Sequence, residues 1–232
     1  MKHHILTISM ALLSITGLKA QEIKPLETSI EDYIMLLNAS GYEAYSYDIT
    51  TIKDKTYTLN FEIREYVKDQ AEPLSTKSNG RFRNRTMIQD FMWRELSTEE
   101  LAEIEKNAVD VENGVYSLAE KMTVGFMPSK NDSTMTGRIS VPGMGASGLS
   151  LELKPIQTPQ NERKIYSYLT RPFKASTFEP GKFIPLALCC SFWYDEAHKV
   201  IRCCGEKVID PELTANILKD SPHYYIIGVT IN

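Results

Sequence analysis

All four cysteines of the 232-residue chain lie in one late stretch, where they form two adjacent pairs. Cysteine thiols can form disulfides, bind metal ions or act as nucleophiles. The stretch has two apolar arms that flank a polar turn at Asp195–His198. Folding the arms about this turn brings the cysteines opposite one another in two pairs, Cys190 with Cys203 and Cys189 with Cys204. The spacing therefore predicts a disulfide-bonded hairpin, and four reduced thiols are the alternative.

A metal site and a cofactor are not predicted. Neighbouring residues on a strand point to opposite faces, so the two cysteine pairs cannot easily surround one ion. The chain has four histidines, of which His198 lies in the hairpin turn and His223 begins a later apolar run. The chain has no C-x-x-C and no H-x-x-x-H spacing. We expect His223 to be a structural or edge histidine.

Two short strings resemble nucleotide-binding motifs. Gly143–Gly148 matches G-x-G-x-x-G, and Asp195–His198 spells a helicase box. The first motif needs a helix after it, but Leu149, Leu151 and Leu153 alternate as they would in a strand. The second needs a phosphate-binding loop, and the chain has no G-x-x-x-x-G-K-[ST]. Both strings are expected to be turns, so the sequence shows no catalytic signature and favours a protein that is not an enzyme.

The polar stretch Val67–Asn84 contains the basic residues Lys68, Lys77, Arg81 and Arg83. It is either an anion-binding loop or a solvent-exposed connection. We favour the connection, because nothing in the pattern indicates a platform on which bases could stack.

Residues 1–20 have the layout of a cleaved secretory signal, with a basic start, the apolar run Ile5–Ile15 and a junction before Gln21. We therefore expect export to the periplasm or the cell exterior, and a single mostly-β domain over residues 21–232. The apolar run is too short to span a membrane and no later stretch is long enough, so no transmembrane segment is predicted.

The chain is mildly acidic, with a net charge of −4 at pH 7. Loss of Lys2 and Lys19 with the signal would make it more acidic. Binding to nucleic acid depends on a high density of basic residues. We therefore expect no nucleic-acid partner.

Apolar and polar residues alternate with a period of two along much of the chain, which predicts antiparallel strands. The predicted strands are Tyr42–Thr51, Thr56–Glu65, Lys121–Met127, Met135–Val141, Leu149–Leu153, Lys164–Thr170 and His223–Ile231. The first two are expected to form a hairpin. The last is apolar on both faces and is expected to be an interior strand.

Helical spacing of apolar residues occurs in a few places. It predicts helices at Ile30–Asn38 and Thr86–Glu95, a longer one that starts at Ser97, and a short one that starts at Asp210. The predicted fold class is α+β, mainly antiparallel β, with two packed sheets in a sandwich-like arrangement and about three or four peripheral helices.

The chain resembles a family of small, uncharacterised secreted proteins from gut Bacteroidetes. The resemblance is carried by an LKAQ-type signal junction, by GYEAYSYDI, by MWRELSTEEL and by IRCCGEKVIDPELTANILKDSPHYYIIGV. It implies a location in the envelope of a Gram-negative cell. It implies no activity and no functional residues.

These observations favour an exported β-rich binding or interaction module with an unknown protein or glycan partner in the envelope. Trp193, Tyr194 and Arg202 of the hairpin are the candidate contact residues, and simple packing is the alternative for each. A glycan-directed hydrolase that uses acidic residues is a second possibility, because acid pairs are plentiful. A structural envelope component is a third, and it should show a large exposed apolar patch.

Overall fold

We describe the fold from a computed structural model. The described residues are 27–53, 55–86, 97–99, 102, 115–116, 119–159, 164–174, 177, 179–203 and 205–232. The predicted signal peptide lies outside them, as does nearly all of the predicted helix Thr86–Glu95. Of the next predicted helix only Thr98, Glu99 and Ala102 are described after its first residue, and all three are helical.

The described residues form mostly short strands, together with two helices for which both ends are defined. The helices are α1 (Ile30–Ala39) and α2 (Asn216–Asp220). The strands are β1 (Glu43–Asp48), β2 (Thr58–Val67), β3 (Ser75–Arg83), β4 (Arg85–Thr86), β5 (Val115–Tyr116), β6 (Lys121–Pro128), β7 (Thr134–Val141), β8 (Gly145–Glu152), β9 (Tyr168–Pro172), β10 (Phe183–Ser191), β11 (Trp193–Asp195), β12 (Val200–Arg202) and β13 (His223–Ile231). Neither of the two delimited helices is long and apolar enough to cross a membrane.

Two antiparallel sheets make up most of the described fold. Sheet A has four strands in the order β1-β6-β7-β8, and sheet B has five in the order β3-β2-β13-β10-β9. Two further pairs, β4–β5 and β11–β12, form small ribbons. As the sequence predicts, β13 is an interior strand, with β2 on one side and β10 on the other.

The main core lies between the two sheets, because alternate side chains of each sheet face the other sheet. Its fully buried members include Val124, Phe126, Ile139 and Leu151 from sheet A, and Leu59, Phe61, Ile63, Tyr225 and Ile227 from sheet B. Gly137 of β7 makes room for this packing, since a Cβ there would lie 2.6 Å from Ile227 Cδ1. Burial of each large side chain contributes about 1.5–3 kcal/mol.

Tyrosine hydroxyls also join the two sheets. Tyr45 Oη of β1 lies 2.7 Å from Thr170 Oγ1 of β9. Tyr47 donates to a main-chain carbonyl of β10. From the other side, Tyr225 of β13 donates to the carbonyl of Glu152 at 2.9 Å. These bonds allow each tyrosine to bury its ring and still pair its hydroxyl.

A second core covers part of the outer face of sheet B. A covering segment, Ile209–Leu218, places Ile209, Ala215, Ile217 and Leu218 against that face. The sheet contributes Tyr66, Leu188, Cys190, Tyr224 and Ile226. The rings of Tyr66 and Tyr224 stack there with centroids 5.1 Å apart. Sheet B is therefore buried on both faces at this end.

The predicted fold class, α+β with about three or four peripheral helices, is wrong. The described chain is mostly antiparallel β, and α1 and α2 are its two delimited helices. Thr86, the predicted start of a helix, lies in β4 opposite Val115. Pairing between distant segments has outweighed the local helical spacing at that point.

The predicted hairpin between the first two strands is also wrong. β1 pairs with β6 in sheet A, whereas β2 pairs with β3 and β13 in sheet B. A 3-10 turn at Thr50–Ile52 connects β1 and β2, and Ile49 and Ile52 are buried there. Burial of these two side chains favours a crossing between layers over a tight turn within one sheet.

The polar stretch predicted to be a connection contains the strand β3. β3 is an edge strand of sheet B, and Phe82 is its buried residue. An edge strand with one solvent-exposed face needs few apolar residues, so it lacks the alternation on which the strand predictions rested.

The short helix predicted at Asp210 begins later, at Asn216. Asp210 accepts the N–H of Glu212 at 3.2 Å in a turn. The carboxylate of Glu206 accepts the N–H groups of Asn216 and Ile217 at 3.0 and 3.3 Å. A distant acid therefore satisfies the first turn of α2, in place of a local cap.

Gly228 of β13 provides a stability test of this packing. A Cβ at Gly228 would lie 2.6 Å from Phe183 Cζ and closer still to the carbonyl oxygen of Ile184. We expect Gly228→Ala to lower the free energy of unfolding by about 2–3 kcal/mol in denaturant titrations. Gly125→Ala in β6 is the control, because its Cβ would make an ordinary contact of 3.7 Å with Glu43 O. Equal stability of the two variants would contradict the prediction.

Candidate functional site

The hairpin that carries the candidate contact residues has a different register from the predicted one. Trp193 lies opposite Arg202, and Tyr194 lies opposite Ile201. This register aligns Cys203 with Phe192, whereas the predicted register aligned it with Cys190. The predicted register is therefore wrong. The cause is the turn, in which Lys199 adopts a left-handed conformation with φ 57° and donates its N–H to Asp195 O.

Three of the four cysteines are described, and all three are free thiols. Cys189 and Cys190 are buried in β10 between β9 and β13, and Cys203 is exposed. Burial raises the pKa of Cys189 well above its usual value and that of Cys190 to about 12. Such thiols behave as small apolar side chains, because the thiolate is the reactive form. The predicted Cys190–Cys203 disulfide is therefore not formed, and no disulfide is seen among the described cysteines; Cys204 lies outside the described residues.

The register places Trp193 opposite Arg202 on one face of the hairpin and Tyr194 on the other face. Each is half-buried. Arg202 Nε lies 2.6 Å from Asp195 Oδ2 within the same hairpin, and His198 Nδ1 lies 2.9 Å from the same oxygen. The guanidinium therefore has an internal partner. The ion pair of Arg202 with Asp195 stabilises the hairpin, and the role of all three residues as contacts remains a prediction.

A buried polar network connects three strands of sheet B. His223 of β13 places Nε2 at 3.0 Å from Glu65 Oε1 of β2 and Nδ1 at 2.6 Å from Tyr168 Oη of β9. Ser75 donates to the other Glu65 oxygen at 2.7 Å. The main-chain N–H of Lys154, beyond β8, donates to Tyr168 Oη at 2.9 Å.

The protonation state of this network follows from its bonds. Burial raises the pKa of Glu65, but hydrogen bonds from His223 and Ser75 outweigh it and lower the pKa overall. Burial lowers the pKa of His223 more than the Glu65 carboxylate raises it. Burial raises the pKa of Tyr168. The carboxylate therefore accepts from Nε2–H of a neutral imidazole, and the Tyr168 hydroxyl donates to Nδ1.

This network has no unused position for a substrate or a metal ion. Both imidazole nitrogens and both carboxylate oxygens are engaged, and the ring of His223 packs edge-on against Tyr225 at 5.0 Å. Within the part of the chain that the structure describes, no group of three or more His, Cys, Asp or Glu side chains could hold a metal ion. The network joins three strands of sheet B through His223, in agreement with the structural role expected of this histidine.

The most unusual surface of the described chain is helix α1. Its large apolar residues are 46–66 % exposed. They are Ile30, Tyr33, Ile34, Met35, Leu36 and Leu37. An isolated helix of ten residues is marginal in water, because its few hydrogen bonds barely offset the cost of nucleation. A contact that buries this surface would therefore stabilise the helix as well as the complex.

The apolar residues of α1 include one continuous stripe. Ile30, Tyr33, Ile34 and Leu37 are spaced i, i+3, i+4, i+7, the spacing at which side chains line one face of a helix. Helices that bind in a groove of a partner protein use anchors at this spacing. The sequence predicted the helix, but it did not indicate that this stripe would face outward.

Comparison with known proteins places the chain in a family. A family model described as "Domain of unknown function (DUF5041)" matches residues 13–232. The chain belongs to this family. No curated protein and no solved structure matches it. The DUF5041 match confirms the predicted resemblance to an uncharacterised family, while the gut Bacteroidetes source and the secretion stay predictions.

The buried network predicts how the stability of this DUF5041 domain depends on pH. Because the folded pKa of His223 lies below the ordinary value of 6.5, the unfolded chain binds a proton near pH 6.5 that the folded chain does not. The free energy of unfolding should therefore fall as the pH falls through about 6.5. Denaturant titrations between about pH 8 and pH 5, where histidines titrate, should show this fall.

Replacement of the histidine isolates its contribution. His223→Gln keeps a donor for Glu65 but cannot be protonated, so it should lose part of the pH dependence and about 1–3 kcal/mol of stability at neutral pH. His198→Gln is the control, since His198 is exposed and its replacement should leave the stability unchanged within about 0.5 kcal/mol. A wild-type pH profile in His223→Gln would refute the assignment.

The burial of the thiols predicts their order of reaction. A thiol-specific alkylating reagent should modify Cys203 in the folded protein and should reach Cys189 and Cys190 only after unfolding. Peptide mass mapping before and after denaturation measures this order. Rapid native labelling of Cys189 would contradict the buried position.

Proposed function

We propose that this DUF5041 domain is an exported interaction module that binds a partner protein through helix α1. The observation that carries the proposal is the exposed stripe Ile30, Tyr33, Ile34 and Leu37. Burial of one such side chain contributes about 1.5–3 kcal/mol, and a few buried anchors supply most of the energy of a typical protein interface. The helix is therefore able to provide the central contacts of a complex.

The charges of α1 indicate what kind of partner it fits. Its first turn contains the acidic residues Glu31 and Asp32, and the helix has no basic residue. Helices that lie on a membrane surface are rich in lysine and arginine, because the bilayer surface is anionic. An acidic helix instead suits a protein groove that is apolar inside and basic at its rim.

The export part of the proposal rests on the sequence. The basic start, the apolar run Ile5–Ile15 and the junction before Gln21 together have the layout of a secretory signal. Cleavage there would leave α1 close to the start of the mature chain. The partner would then be a protein of the periplasm or of the cell exterior.

A structural envelope component is the second candidate, and the same exposed helix favours it, since such a component needs an apolar surface. The two differ in stoichiometry, because a binding module saturates with one partner and a structural component assembles without limit.

The acid-residue hydrolase has no comparable support. The half-buried carboxylates Glu62 and Glu65 are engaged by Arg64 and His223.

The proposal predicts that charges in the apolar stripe abolish binding. Residues 21–232 would be immobilised and exposed to a detergent extract of the source cell envelope. Ile34→Glu combined with Leu37→Glu should reduce retention of the partner at least about tenfold, because both charges would be buried without a counter-ion. Sedimentation of the eluted complex then separates a defined stoichiometry from open-ended assembly.

Asn38→Glu is the matched control. It adds one negative charge, where the double variant adds two, in the same turn as Leu37 but about 100° away around the helix axis. Retention of one partner by the wild type and by this control, but not by the double variant, supports the proposal. Equal retention by all three proteins, or by none, rejects it, provided that circular dichroism shows all three to be folded.

A further inference from the structure

The outer face of sheet B has a second, uncovered half that differs in chemistry from the first. The strand register places Arg81, Asn60, Thr230 and Phe183 side by side in one row across β3, β2, β13 and β10. Residues that pair directly across neighbouring strands share a face. The residues that alternate with Asn60 along β2, namely Leu59 and Phe61, belong to the main core. The row therefore lies on the outer face.

The middle of this surface is flat and almost neutral. Gly228 has no side chain, and the ring of Phe183 lies against it. The guanidinium of Arg64 lies 3.7 Å from the centre of that ring and 3.0 Å from Glu62 Oε2. The other oxygen of Glu62 accepts the hydroxyl of Thr230. The charge of Glu62 is therefore compensated within the protein.

The edge of this surface carries an excess of positive charge. β3 contains Lys77, Arg81 and Arg83 and no acidic residue, in a chain whose net charge is −4. Lys77 pairs with the core residue Ile63 and so lies on the inner face. All three side chains are exposed, and none forms an ion pair with a residue in the described part of the chain. Arg81 and Arg83 lie on the outer face, because they pair with Asn60 and Thr58. Their guanidinium groups are open to solvent beside the neutral floor.

We propose that this surface, made of Arg81, Arg83, Asn60 and Thr230, binds a carboxylate-bearing glycan. A guanidinium binds a carboxylate through two parallel hydrogen bonds. The Asn60 amide can donate to and accept from sugar hydroxyls, and the Thr230 hydroxyl, which donates to Glu62, can accept from one. The Arg64 guanidinium covers one face of the Phe183 ring, and Gly228 lies against its edge atoms, so the ring offers little room for a sugar to stack and recognition depends on charge. The surface therefore selects acidic over neutral glycans.

An extended acidic peptide fits this position less well. Peptides commonly bind a sheet by pairing with the main chain of an edge strand. Along β3, however, Asn79 Nδ2 donates to Gly148 O of β8 at 3.2 Å, and a Cβ on Gly80 would lie 2.8 Å from Ser147 Cβ. β8 therefore covers this edge, and the side chains on the outer face remain accessible.

Titration calorimetry with defined probes tests the proposal. The probes are an oligomer of galacturonic acid, a neutral galactose oligomer of the same length, and inorganic phosphate. The wild type should bind the acidic oligomer and not the neutral one, and the binding should weaken as the ionic strength rises to about 0.15 M. Arg81→Gln combined with Arg83→Gln should weaken it about tenfold or more.

Arg138→Gln is the matched control, since Arg138 is an exposed arginine on β7 of sheet A. It should bind the acidic oligomer like the wild type. The double glutamate variant of α1 should also bind it, so the glycan site and the helix site can fail separately.

Three results would overturn the proposal. They are equal affinity for the neutral oligomer, binding of phosphate alone, and unchanged affinity in the double arginine variant. A wild type that binds no probe, with an arginine variant that aggregates, would instead assign these arginines to protection of the sheet edge.

Discussion

Strand β13 is apolar on both faces, and the need to bury both faces is the constraint on which the rest of the structure depends. Tyr225, Ile227 and Val229 face sheet A, whereas Tyr224 and Ile226 face the covering segment. A strand of this kind needs a layer on each side. Sheet A and the covering segment provide those layers. The position of β13 between β2 and β10 then fixes the order of sheet B.

The outer face of sheet B changes character along β13. At one end the covering segment seals it with Ile217 and Leu218. At the other end Gly228 and Thr230 leave it flat and polar, and Arg81 stands at its edge. The outer face of sheet B is therefore buried at one end and exposed to solvent at the other. Helix α1, by contrast, lies outside both cores and has little packing of its own.

Local patterns predicted the strands whose apolar residues face a buried core. Thr56–Glu65 was predicted where the structure has Thr58–Val67, and His223–Ile231 has the predicted bounds. They could not predict Ser75–Arg83, because an edge strand buries too little to impose a pattern. Local patterns could not predict the network of Glu65, His223 and Tyr168 either, because 158 positions separate Glu65 from His223. The helix α1 was predictable from its spacing, but its exposure depends on what surrounds it. These features depend on the chain topology, which cannot be derived from local sequence patterns.

The place of β13 in chain order has a consequence for how the molecule assembles. It is the latest of the described strands, and both of its neighbours in sheet B are formed from earlier segments. β2 must therefore remain without its central partner while all the intervening residues are made. Contacts of such long range slow folding, because the intervening loop must close first. Sheet B can therefore be completed only after its last strand has been synthesised, so its central strand pairs are formed late.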